Sequence, residues 1–170
     1  MSVVPEPPIP GQLDVEEVLA EVAEDAAPPN RRPGEVLHHR EVLALMDGCS
    51  LRAPTGVRNR ALIALLWRSG LRLAEALALL PGDVDFAQGV VLVRNGKGSV
   101  SRRAGIDGQA LERVDHWLER RRALRVPARR ASDPRARPPL FCTLRGEALD
   151  QAYVRAMLRR LAAKPARKAR

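Results

Sequence analysis

From Ala61 to Trp67 the chain runs Ala-Leu-Ile-Ala-Leu-Leu-Trp, apolar on nearly every side of a helix. Such a helix has no face to give to water, so other elements must surround it. The segment VRNRALIALLWRSG is therefore expected as a buried central helix that stops at Gly70. LHHREVLALMDGC before it reads as a short helix and APTG as the turn between them. LRLAEALALL reads as a third helix that ends before Pro81 and Gly82. The period then changes from helical to alternating. DVDF, GVVLVR and VSRRAGI predict three short strands, and Asn95-Gly96 within NGKGS is a hairpin signal.

Asp107 is placed to cap a following helix whose Ala110, Leu111, Val114, Trp117 and Leu118 form one apolar stripe. VPARRASDPRARPP is a basic loop, and PLFCT a short strand. Asp150 then opens a last helix with Val154, Met157, Leu158 and Leu161 on its apolar side. The fold class is α+β: mainly helical, with a small antiparallel sheet. Residues 1–35 are acidic and proline-rich and are expected to form a disordered tail. Within them only Val15, Val18, Leu19 and Val22 have helical spacing. Residues 36–163 form the globular part and 164–170 a basic tail.

Charge is divided sharply along the chain. Residues 1–30 hold seven acids and no base, while the remainder holds 29 bases and 13 acids, a balance of +16. A domain this basic attracts phosphate backbones through counterion release, which makes double-stranded DNA the leading partner class. Cys49 and Cys142 have no cysteine or histidine near them at metal-ligand spacing, so both are expected as reduced, buried thiols. Neither a metal nor a cofactor is expected. His38, His39 and His116 match no catalytic spacing and read as surface residues. With no long apolar run and no export signal, the protein is expected in the cytoplasm, away from membranes.

One constellation carries chemistry. Ser69-Gly70-Leu71-Arg72-Leu73-Ala74-Glu75-Ala76 is followed by Asp83-Val84-Asp85-Phe86 and then by Gly96-Lys97-Gly98. In order and spacing, this series resembles the first half of the catalytic domain of the tyrosine recombinases, or phage-type integrases. The likeness extends from about Val36 to Ala163 and makes residues 36–163 a partial catalytic domain. It implies transesterification of a DNA phosphodiester, with Arg72 gripping the phosphate, Lys97 handing a proton to the leaving oxygen and Glu75 holding Arg72 in place. Arginine suits the first task because its planar fork binds two oxygens and keeps its charge. An ammonium near a phosphate suits the second. Arg102 falls where the family has a basic residue after its Gly-Lys-Gly, which implies a further phosphate contact.

The family also carries a His-x-x-Arg box, a further His or Trp and a tyrosine nucleophile. No histidine follows His116 in this sequence. The single tyrosine, Tyr153, lies ahead of where that box would begin and is expected to be a partly buried helix residue. No nucleophile is therefore assigned. The chain is expected to be truncated at both ends and inactive in strand transfer by itself, because such groups act as a unit. It is also expected to be marginally folded, exposing an apolar face near Leu158 and Leu161. Two other readings stand beside a DNA-binding remnant. One is a noncatalytic module that modulates a complete recombinase subunit; the other is a generic basic protein in which Arg72 matters no more than Arg129.

Overall fold

The computed structural model describes residues 37–94, 101–127 and 136–163. Among the described residues, five helices and three strands follow one another: α1 (His39–Asp47), α2 (Pro54–Ser69), α3 (Leu73–Ala78), β1 (Val84–Asp85), β2 (Val90–Val93), β3 (Arg102–Gly105), α4 (Gly108–Ala123) and α5 (Gln151–Ala162). A 3₁₀ turn, Pro81–Asp83, joins α3 to β1. This is the mainly helical α+β arrangement expected from the sequence.

Helix α2 is the centre. Ala61 to Leu65 are buried in succession, as an all-round apolar helix requires, and its broadest contact is with α4. Gly70, at φ 62°, ends the helix in the left-handed region that glycine enters freely. The start lies earlier than expected: Pro54 is the first helical residue, so APTG is the opening turn of the helix rather than a connector. Ser50 Oγ accepts the backbone N–H of Ala53 at 3.0 Å just ahead of it.

The sheet runs β1-β2-β3, antiparallel throughout, with Val84 opposite Val91 and with Val91 opposite Ala104. Those three residues and Val93 are buried and form the sheet's contribution to the core. Asp107 and Asp150 cap their helices as the sequence indicates, accepting from Ala110 N at 2.8 Å and from Ala152 N at 3.0 Å. Trp117 and Phe141 are the largest fully buried side chains. Both cysteines are buried and form no disulfide among the described residues, and burial pushes the Cys142 thiol upward.

Three expectations need correction. PLFCT is not a sheet strand; it forms one bridge, Cys142 to Ala148. Its polar backbone groups bond elsewhere: Leu140 N–H to Leu79 O at 2.6 Å, Leu140 O from Trp117 Nε1 at 2.8 Å and Cys142 O from Arg58 Nη1 at 3.1 Å. Helix α3 is shorter than LRLAEALALL, since Arg72 is its N-cap and Leu79 has already left it. The apolar face expected at Leu158 and Leu161 is covered. Leu161 is buried against the Gly48 turn, and Leu158 packs on the core.

Candidate functional site

The first turn of α3 and the start of β3 meet at one carboxylate. Glu75 occupies the third helical position, and its Oε2 reaches back to accept the Arg72 backbone N–H at 2.8 Å. This satisfies a donor that a helix start leaves open. The same oxygen accepts Arg102 Nη2 at 2.9 Å. Glu75 Oε1 lies 3.5 Å from Arg72 Nη1 and is buried with no hydrogen-bond partner among the described residues.

The Glu75 side chain is 10% exposed, while that of Arg72 is 67% exposed. The Arg72 N–H, working against partial burial and with help from the Arg102 and Arg72 guanidinium charges, holds the Glu75 carboxyl below its ordinary value. Glu75 is therefore ionised at neutral pH. One carboxylate thus faces two guanidinium groups, and positive charge is left over. Arg72 makes no other side-chain ion pair among the described residues, so its fork remains available to an anion such as a phosphate.

The structure brings Arg72, Glu75 and Arg102 together as a cluster, with one change of role. Glu75 sits closer to Arg102 than to the Arg72 guanidinium, and it fixes Arg72 mainly through the backbone. Lys97 and its Gly-Lys-Gly lie outside the described residues, as does Arg129. His38, His39 and His116 are exposed, as expected. Among the described residues, no three His, Cys, Asp or Glu side chains gather in a metal-binding group, and no helix is long and apolar enough to cross a membrane.

Two further arrangements escape the sequence reading. Asp83, quoted there only as part of a motif, is buried; its Oδ1 accepts Arg94 Nε at 2.6 Å, and its Oδ2 accepts Leu80 N–H at 2.9 Å. The exit of β2 and the entry of β3 are each tied to an acid, Arg94 to Asp83 and Arg102 to Glu75. Arg58 is 2% exposed and donates to Cys142 O, to Asn59 Oδ1 and, at 3.2 Å, to the Tyr153 hydroxyl. Its only signal in sequence is a basic residue one turn before an all-round apolar run. Tyr153, expected to be partly buried, is 41% exposed on α5, with the Arg58 guanidinium carbon 5.9 Å from its ring centroid.

A profile described as the phage integrase family matches residues 35–168. The chain belongs to the phage integrase family. Similar proteins include tyrosine recombinase XerC 2 of Ralstonia nicotianae, 31% identical over 132 residues, which make up 78% of this chain and 36% of that protein. Tyrosine recombinase XerD of Mycobacterium leprae is 38% identical over 127 residues, covering 72% of this chain and 39% of that protein. Among solved structures, the XerH site-specific recombinase bound to its difH substrate in a pre-cleavage complex superposes with a TM-score of 0.56 at 27% identity. That superposition covers 74% of this chain and 35% of XerH. The chain therefore spans roughly two fifths or less of these phage integrase family relatives.

Proposed function

We propose that this member of the phage integrase family binds the phosphates of double-stranded DNA through Arg72 and Lys97, with Arg102 beside them and Glu75 as the carboxylate that orders both arginines. The observation that carries the reading is the exposed Arg72 fork, anchored by its own backbone to an ionised Glu75 that also holds Arg102. Such a fork can grip two nonbridging oxygens at once.

The 170 residues contain no His-x-x-Arg sequence, and their one tyrosine hydroxyl accepts a bond from the buried Arg58. Strand transfer by this chain alone is accordingly not expected, since Arg72 and Lys97 without a nucleophile give no covalent intermediate. Resemblance to recombinases also admits a complete recombinase subunit as a second partner.

The test is titration of a labelled duplex across a range of salt concentrations, alongside a search for a covalent protein–DNA adduct. Binding that falls steeply with salt, without any adduct, is the expected result. Salt-independent binding, or a covalent adduct formed by the chain alone, overturns the reading.

A further inference from the structure

A second basic cluster lies at the exit of β2, built on Asp83 rather than on Glu75. There a cavity of about 450 Å³ is lined by Asp83, Arg94, Arg121, Val126, Arg137 and Pro138, among others. Three guanidinium groups there face one carboxylate, an excess of two positive charges.

The three arginines are not equivalent. Arg121 is a brace: its Nη1 donates to Pro139 O at 2.8 Å, with longer contacts to Leu140 O and Pro138 O that hold the cavity wall. Arg94 is aimed. Asp83 engages only its Nε, leaving both Nη nitrogens without a partner among the described residues, and the side chain is 59% exposed. The remaining end-on fork is the geometry that takes two oxygens of a phosphate. Arg137 is exposed and likewise has no partner among the described residues. Asp83 is itself buried and held by Leu80 N–H, so the anchor is rigid.

We propose that Arg94 and Arg137, with Asp83 as the positioning carboxylate, form a second phosphate site that takes a backbone phosphodiester of the same duplex. This rests on the DNA-binding reading above, and the site is separate from the Arg72 cluster. Its two charges add to affinity without reading sequence, because phosphate contacts position a protein and base contacts specify.

The experiment compares the unaltered chain with the double variant Arg94→Ala/Arg137→Ala and with a charge-matched control, Arg40→Ala/Arg155→Ala, by fluorescence anisotropy on a labelled duplex at several salt concentrations. Thermal melts confirm that all three are folded. The proposal expects the site variant to bind roughly tenfold or more weakly than the control, with the salt slope reduced by about 1–2. A site variant that matches the control overturns it while leaving the Arg72 reading intact. Failure of the unaltered chain to bind any duplex overturns both. Titration with inorganic phosphate separates the sources: a response that needs Arg94 and Arg137, in a protein whose duplex binding does not, assigns the site to a free phosphate and overturns the DNA assignment.

Discussion

Arg102 of β3 and Glu75 of α3, 27 residues apart in sequence, meet at 2.9 Å on the oxygen that also accepts the Arg72 backbone N–H. This one carboxylate links the entry of β3 to the start of α3. Its pH behaviour follows from sign. The folded-state value lies below the ordinary glutamate value, so the stabilisation is fully present above the unfolded-state value and is lost as pH falls through the folded one. Glu75→Gln is expected to flatten the acid limb of the stability–pH curve while leaving the limb above neutrality in place. Urea unfolding at stepped pH measures this, and an unchanged acid limb counts against the Glu75 linkage.

Arg72→Ala is expected to weaken duplex binding about tenfold, the scale of one charge-assisted hydrogen-bond pair. Arg40→Ala, an exposed arginine on α1, serves as the charge control and is expected to have a much smaller effect. Lys97→Ala is expected to weaken binding only slightly, because it removes a single phosphate contact from a strongly basic chain. Anisotropy at one fixed salt concentration ranks the three. Equal losses for Arg72 and Arg40 would reduce the site to net charge.

Much of this architecture is legible in the sequence because period and punctuation agree locally. The all-round apolar run gives α2, Gly70 ends it, the alternation of GVVLVR gives β2, and Asp107 and Asp150 mark two helix starts. What escapes is what depends on distant partners. PLFCT has strand-like composition, but its carbonyls are claimed by Trp117 and Arg58, 23 and 84 residues away. Nothing local to Arg58 announces that it is buried. The site is half legible: the motif selects Arg72, Glu75 and Arg102, but spacing along α3 suggests an Arg72–Glu75 pair, and only the β3 register brings Arg102 in as the nearer guanidinium.

Gly56 separates local propensity from packing. By propensity alone, Gly56→Ala inside α2 should stabilise by about 1 kcal/mol. In the structure, a Cβ there would collide with the Ser50 carbonyl oxygen and stand 2.8 Å from Ser50 N, both backbone atoms that have little room to move. Overpacking of this kind costs about 1–3 kcal/mol, so the variant is expected to be less stable than the unaltered protein. A melt with a raised midpoint would show that the Ser50 turn gives way.

Arg58 makes the sharpest stability prediction, because its charge is buried among neutral partners. Among the described residues no carboxylate pairs with it; the guanidinium is held by the Cys142 carbonyl, the Asn59 amide oxygen and the Tyr153 hydroxyl. Replacing it with methionine of similar length removes the cost of burying a charge but leaves the Cys142 carbonyl without that donor, a loss of about 1–3 kcal/mol. Arg58→Met is therefore expected to be destabilised within that range. Tyr153→Phe, which removes only one exposed-side acceptor, is expected to cost less than about 1 kcal/mol. Urea unfolding of the two variants and their combination gives the coupling between them. Additive losses would mean that the 3.2 Å Arg58–Tyr153 contact contributes nothing, and that Arg58 acts through the Cys142 carbonyl and the Asn59 amide oxygen.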